Sequence, residues 1–322
     1  MKICLTGSTG FVGSKLCNHL LNLSYEIFAP VRTLDLSLFP KKKNLNLIHI
    51  KDDKSFKDYS KCLIHADIVI HCAAKAHVMK ENQINSVLSY RSINVDDTIN
   101  LAKQAISNGV KRFIFLSSIK VNGEQTFSYE SFKHDDFPKP EDPYGISKLE
   151  AENALLDLSN QNKIEVVIIR APLIYGEGVK GNFLRLLNLC NRGLPLPFGN
   201  INNKRSLVGI DNLIDLITCC MNHPKAPGNI FLISDNEDIS TTKLIQMIKI
   251  NMGKPDRLFF LPFFLFKILS SMIGRSSEVD RLFGSLTINI SHTQKILGWK
   301  PITSLDKGLK KTINWYLNYR NL

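Results

Sequence analysis

The sequence predicts an α/β protein: a doubly wound parallel sheet with helices on both faces, followed by a smaller, mixed C-terminal unit. Three observations carry this. Short apolar runs alternate with stretches of helical periodicity. Several of those runs are continuous, as strands covered on both faces are. The first run leads directly into a glycine turn backed by a helical pattern.

Residues 3–6, 25–31, 45–50, 68–71, 112–116 and 166–169 read as strands. The opening MKICLTGSTGFVG carries the first of them into Gly7, Gly10 and Gly13, and Phe11, Leu16, Leu20 and Leu21 continue at helical spacing. The first glycine permits a tight bend, the second lets backbone amides approach a pyrophosphate, and the third lets the helix pack close to the sheet with its positive end on the phosphates. This is a dinucleotide-binding turn, spaced G-x-x-G-x-x-G. No Gly-Lys-Ser/Thr closes it, which excludes a triphosphate-binding P-loop. Helices are expected over 94–108 and from Tyr144 to about residue 160. After Arg170-Ala171-Pro172 the alternation fades, and loops rich in Gly, Pro and Asn over 176–181 and 193–203 mark a substrate-facing segment. A strand at 229–234 rejoins the sheet and a helix follows over 241–252. The expected division is a dinucleotide-binding unit over 1–172 and 207–236 and a substrate unit over 173–206 and 237–322.

A chain of 322 residues with 44% apolar content can bury a full core. The apolar run behind Met1 and Lys2 is too short for a signal peptide and leads straight into the glycine turn, so a cytoplasmic protein is expected. The seven cysteines are scattered, mostly in apolar stretches, with no C-x-x-C spacing; they read as small buried thiols, with no disulfide framework and no metal site. The net charge of +12 is spread over Lys41–Lys43, Lys111 and Arg112, Lys204 and Arg205, and Lys310 and Lys311 without a nucleic-acid module. It reads as a solvated basic surface plus a phosphate-rich ligand, with no nucleic-acid partner. The segment LFFLPFFLF at 258–266, continuing to 273, is the most hydrophobic part of the chain; Pro262 and Lys267 interrupt it, and it is too short to span a bilayer. Burial in the smaller unit is expected; the alternative is peripheral membrane contact, with Lys254, Arg257, Lys267 and Arg275 near anionic lipid.

Tyr144 and Lys148 lie four residues apart in Y-G-I-S-K at a helix start, which stacks them on one face. An ammonium beside a phenol favours the phenolate and is expected to lower the tyrosine's pKa toward the working pH. The strand over 112–116 ends in Ser117-Ser118, at the carboxyl edge where ligands of open α/β sheets bind, so Ser118 can hydrogen-bond a reacting oxygen.

With these residues in place, the chain resembles an extended short-chain dehydrogenase/reductase of the nucleotide-sugar epimerase/dehydratase superfamily, a Rossmann-type fold. The carrying segments are TGSTGFVG, HCAA (71–74), INVDDT (93–98), GVKRFIFLSSIKVNGE (109–124), DPYGISK (142–148), RAPLIYGEG (170–178) and LGWKP (297–301). The resemblance implies Ser118, Tyr144 and Lys148 as the catalytic set, with Lys148 also holding the nicotinamide ribose and Asn94 supporting the network. It implies cofactor contacts from Gly7, Thr9, Gly10, Phe11, Val12 and Gly13, from Ala73 and Ala74, and from Asp52 or Asp53 at the adenine. Asn182, Pro197 in LPLPFG, and Arg205 resemble positions that hold a UDP-sugar, and Arg205 suits a diphosphate because a guanidinium fork binds phosphate oxygens in bidentate fashion. His77 and Lys120 are expected to line the sugar pocket. Relatives pair through the two long helices, which implies a homodimer; the same stripes could equally face only their own sheet.

Within the family, 4,6-dehydratases carry an Asp-Glu pair directly after the catalytic hydroxyl residue, where this chain has Ile119-Lys120, so dehydration is not expected. The second strand ends in APVRT, placing Arg32 where it could take a ribose 2′-phosphate; this favours NADPH over NADH, although Asp35 follows closely and could serve NAD. SSIKVNGE and LFGSLTINIS, with Asn122 where epimerases usually have tyrosine, resemble the bacterial UDP-4-keto-6-deoxy-N-acetylglucosamine 4-reductases, which make UDP-N-acetylquinovosamine for O-antigen. The expectation is therefore a 4-ketoreductase giving that sugar or its C4 epimer. The alternatives are a UDP-sugar 4-epimerase with retained NAD and a non-catalytic nucleotide-sensing protein.

Overall fold

The computed structural model describes residues 1–34, 39, 42–51, 57–75, 83–127, 130–161, 163–272 and 282–320. The strands are β1 (Lys2–Thr6), β2 (Glu26–Val31), β3 (Leu45–His49), β4 (Ile68–His71), β5 (Arg112–Ser118), β6 (Glu165–Ala171), β7 (Leu173–Tyr175), β8 (Leu207–Gly209) and β9 (Ile230–Leu232). Seven form one sheet in the order β3-β2-β1-β4-β5-β6-β9, while β7 and β8 make a separate parallel pair. Every ladder of the large sheet is parallel. The strand order reverses between β1 and β4, which opens a crevice beyond their carboxyl ends.

The continuous apolar runs follow from this layering. Phe113 and Phe115 face a cluster built with Leu101 and Ala105 of α4 (Asp97–Ser107) and Ala151 and Leu155 of α5 (Pro143–Asn160). Ile114 between them faces the opposite cluster, built with Leu16 and Leu20 of α1 (Phe11–Asn22) and Leu213 and Ile217 of α7 (Ile210–Asn222). A third cluster joins Phe183 and Leu187 of α6 (Gly181–Asn191), Ile245 and Ile248 of α8 (Thr241–Asn251), and Leu309 and Ile313 of α11 (Leu305–Arg320). Two short helices, α2 (Ser60–Leu63) and α10 (Ser291–Leu297), complete the packing. All seven cysteines are free; five are buried, and Cys72 and Cys219 are half-buried.

Two expectations need correction. The helix over 94–108 is not one α-helix: α3 (Gln83–Arg91) runs into a π-helical turn over Ser92–Asp96 before α4 begins. Asn94 holds this wide turn in place, because its carboxamide accepts from Lys75 N at 2.9 Å and donates to Lys75 O at 3.1 Å and Ser147 Oγ at 3.0 Å. The apolar segment behind residue 257 is only half buried. Phe266, on α9 (Phe263–Met272), stacks on Phe198 and packs beside Phe283, whereas Phe260 and Phe264 are 62% exposed. A ten-residue helix has one inward stripe, and the third cluster covers only that stripe. Among the described residues no helix is long and apolar enough to cross a membrane.

Candidate active site

The glycine turn is built by close approach. Gly7 has φ +72°, and a Cβ there would lie 2.7 Å from Ala73 N, so the turn after β1 packs directly on the chain leaving β4. A Cβ on Gly13 would lie 2.1 Å from Gly7 O, so only glycine lets α1 start this near the strand. Gly10, the residue capping α1, offers its amides no side-chain acceptor, which leaves the first N–H groups of the helix for an anion. Inside the same turn Ser8 Oγ is buried and, among the described residues, has no hydrogen-bond partner. A buried hydroxyl without a partner is costly. The bare cradle, the uncapped helix end and this orphaned hydroxyl together fit a dinucleotide pyrophosphate. Thr9 and Ala74 are exposed beside the turn, and Val12 and Ala73 are half-buried. Phe11 packs against both the sheet cluster and the third cluster, so its amide is what it can offer a cofactor.

Ser118 ends β5 in register with Ala171 of β6. Its side chain accepts from Lys120 N at 3.3 Å and starts a 3₁₀ turn over Ile119–Val121. Helix α5 begins against that turn: Asp142 Oδ1 accepts from Gly145 N at 2.7 Å, Pro143 occupies the first turn, and a Cβ on Gly145 would lie 2.8 Å from Lys120 O. This contact sets Tyr144 beside the Ser118 end of β5, where the serine hydroxyl favours the ionised phenol. The Tyr90 ring lies 6.1 Å from that of Tyr144.

The expected electrostatics are reversed. Tyr144 is pushed above the ordinary phenol value by burial and by Asp142 and Tyr90, with only the Ser118 hydrogen bond pulling it down. Lys148 does not act as its counter-charge here, because the Nζ donates to Leu116 O at 2.8 Å and sits 4.1 Å above the centre of the Phe115 ring. Burial lowers the ammonium to about 8, against the opposing pull of Glu152 and Cys72. Glu152, one turn beyond Lys148, takes a hydrogen bond from Ser117 and pairs with Arg170 at 2.6 Å, both ionic partners being buried. Arg170 also donates to Asn122 Oδ1 at 2.9 Å, so Asn122 faces this buried pair.

A second buried chain joins the glycine turn to Asn94. Thr6 Oγ1 meets His71 Nδ1 at 2.6 Å, His71 Nε2 meets Thr98 Oγ1 at 2.9 Å, and Thr98 Oγ1 donates to Asn94 O at 2.8 Å. That last donation makes Thr98 the acceptor from Nε2–H, which leaves Nδ1 to accept from Thr6. Burial, with Lys148 and Lys57 adding to it, holds His71 neutral with a pKa of about 3.

The expected substrate contacts are dispersed. Lys120 is held by Glu124 at 2.9 Å and by Asp142, beside the first turn of α5. Asn182 is exposed on the first turn of α6, and Pro197 is half-buried between Leu196 and Phe198. Arg205 donates from Nη1 to Gly284 O at 3.0 Å. Arg32 is exposed directly after β2. His77, Asp35, Asp52 and Asp53 lie outside the described residues. Sequence reading missed Ser8, Gly145, His71 and Glu152. Only Glu152 carried a local signal, as the third member of an i, i+4, i+8 stripe begun by Tyr144 and Lys148.

Two outcomes follow. Ser8→Ala should leave the cofactor-free protein as stable or more stable in a thermal melt and weaken NAD binding about tenfold in a calorimetric titration; unchanged binding would remove Ser8 from the cradle. Lys148→Met tests the buried ammonium. The unfolded lysine titrates at 10.5 and the folded one at about 8, so the folded protein holds this proton less tightly, at a cost at pH 7 of up to about 3 kcal/mol. That cost fades as pH rises from 8 to 10.5. The variant should therefore resist urea better than the parent at pH 7, with the gap closing above pH 10.

The chain is similar to known proteins. The family model described as "NAD dependent epimerase/dehydratase family" matches residues 3–234. A "UDP-glucose 4-epimerase" from Vibrio cholerae is 46% identical over 99% of this chain and 96% of its own length. A "dTDP-4-dehydro-6-deoxyglucose reductase" from Escherichia coli is 25% identical over 97% of this chain and 96% of its own length. Among solved structures, the UDP-glucuronic acid 4-epimerase of Bacillus cereus in complex with UDP-glucuronic acid and NAD superposes with a TM-score of 0.80 at 25% identity, covering 99% of this chain and 100% of that one. A match over most of the chain, with a near full-length relative, establishes that the chain belongs to the NAD dependent epimerase/dehydratase family.

Proposed function

We propose that this chain is an NAD-dependent 4-epimerase of a UDP-hexose, which revises the ketoreductase expected from its motifs. The observation that carries the proposal is the start of α5, with Tyr144, packed against the Ser118 end of β5 at the carboxyl edge of the sheet, the edge that also carries the glycine cradle. The near full-length likeness to a UDP-glucose 4-epimerase supports epimerase over reductase.

In this reading the first N–H groups of α1 and Ser8 hold the pyrophosphate, and Lys148 holds the nicotinamide ribose. When bound, NAD supplies a hydride acceptor and donor at the sugar's C4. Ser118 orients O4 by hydrogen bonding. Tyr144, once its own proton has passed to solvent, takes the O4 proton as the carbonyl forms and returns it as the alcohol re-forms, a proton transfer worth roughly 10²–10⁴ in rate. Asn182, Pro197 and Arg205 belong to the UDP-sugar unit over 173–206 and 237–322, facing the dinucleotide unit over 1–172 and 207–236. A cytoplasmic homodimer paired through the long helices belongs to the same reading.

Arg32 favours a second reading. An exposed guanidinium directly after β2 suits a 2′-phosphate, and with it an exchangeable NADPH and a 4-ketoreductase.

The test offers UDP-glucose and UDP-N-acetylglucosamine without added reductant, and separately UDP-4-keto-6-deoxy-N-acetylglucosamine with NADPH or NADH, with products read by NMR. The C4 epimer should appear without net cofactor turnover, and Tyr144→Phe should slow it at least about a hundredfold while still binding NAD. Stoichiometric NADPH oxidation on the keto-sugar with no epimer formed would establish the second reading instead.

A further inference from the structure

The segment before and within α9 has a covered side and a bare side. Phe266 stacks on Phe198 at 5.6 Å and meets Phe283 at 5.0 Å, inside the third cluster. Phe259, Phe260, Phe263 and Phe264 are 49, 62, 42 and 62% exposed. Leu194, 55% exposed, adds to them from the neighbouring loop, which is stitched to this segment by Leu196 N to Arg257 O at 2.9 Å and Phe259 N to Leu196 O at 3.0 Å. Exposed apolar side chains concentrated in one short segment and the loop bonded to it mark an interaction site.

The charges around it say what the site meets. Arg192, Arg257 and Lys267 are exposed and Lys254 is half-buried, while the acid within this stretch, Asp256, accepts from Gln246 at 3.0 Å. Lys267 Nζ lies 5.2 Å from the centre of the Phe263 ring, so cation and aromatic surface are adjacent. The helix has ten residues, too few to span a bilayer. Aromatic side chains rimmed by Lys and Arg on a short surface helix have the composition of an interfacial anchor: rings at the boundary of headgroup and acyl chain, cations on lipid phosphates. The net charge of +12 favours an anionic surface further.

We propose that this face is a membrane-docking lip by which the protein binds peripherally to anionic bilayers. Phe260 and Phe264 enter the headgroup region, and Arg257 and Lys267 meet lipid phosphates. The lip is bonded to the 194–199 loop, as Gly199 N to Phe259 O at 2.9 Å shows, so docking holds that loop at the membrane surface.

The experiment sediments the full-length protein with vesicles of phosphatidylcholine alone, or of equal parts phosphatidylcholine and phosphatidylglycerol. Binding should occur on the anionic vesicles and weaken with salt. F260S/F264S and R257Q/K267Q should each lower the bound fraction at least about fivefold, with the thermal midpoint unchanged. Binding to neither vesicle, or binding that both double variants keep, would overturn the proposal. So would self-association in the absence of lipid that F260S/F264S abolishes, which would assign the face to a second copy of the chain.

Discussion

The buried ion pair between Glu152 and Arg170 is the constraint on which the arrangement of the site rests. Helix α5 crosses the sheet carrying Tyr144, Lys148 and Glu152 on one face, and only the last has a fixed ionic partner in the sheet. Arg170 sits in β6 opposite Ser117, and Glu152 bonds both residues, so the helix is tied to two adjacent strands at one level. Leaving either charge alone would strand the other in the interior, at a cost of several kcal/mol. With that level set, Lys148 falls over the Phe115 ring and Tyr144 falls at Ser118.

The cofactor side is fixed differently, by steric approach and neutral hydrogen bonds. Gly7 against Ala73, and Gly13 against Gly7, set the distance between turn and helix. The Thr6–His71–Thr98 chain then links that turn to the Asn94 carbonyl, and the Asn94 carboxamide reaches Ser147 on α5. Each group in this relay has its partner only while His71 is neutral, which is the state burial imposes. The glycine turn and the catalytic helix are thus connected through a continuous polar path inside an apolar sheet. Fully satisfied networks of this sort give one arrangement rather than many.

What the sequence made legible was local. Strand runs, the glycine turn and the Tyr144–Lys148 spacing all express themselves within a few residues, and the parallel sheet followed from alternation. The rest depended on contacts distant in the chain. Glu152 and Arg170 read separately as a helix acid and a strand-end base until the register of β5 and β6 brings them together. The π-turn at Asn94 arises from bonds to Lys75 and Ser147, and no periodicity announces it. Arg205 presents a phosphate-binding side chain in sequence, yet Gly284, far along the chain, takes one of its donors. Hydrophobicity marked the segment around α9 but could not say which face would find a neighbour. The lowered phenol pKa assumed that four-residue spacing implies mutual charge contact, whereas Leu116 O captured the ammonium.

Three features of the site share one character. Ser8 keeps a buried hydroxyl without a partner, Lys148 keeps a proton it holds weakly, and Tyr144 is a phenol raised by its surroundings. The orphaned hydroxyl and the weakly held ammonium proton are unfavourable in isolation, and all three are groups that a pyrophosphate, a ribose or a sugar hydroxyl would engage. A site organised in this way takes little rearrangement to bind, because its polar groups are already desolvated and aimed. It also couples ligand to fold: whatever relieves these groups in the native state, and not in the unfolded chain, adds its binding free energy to stability.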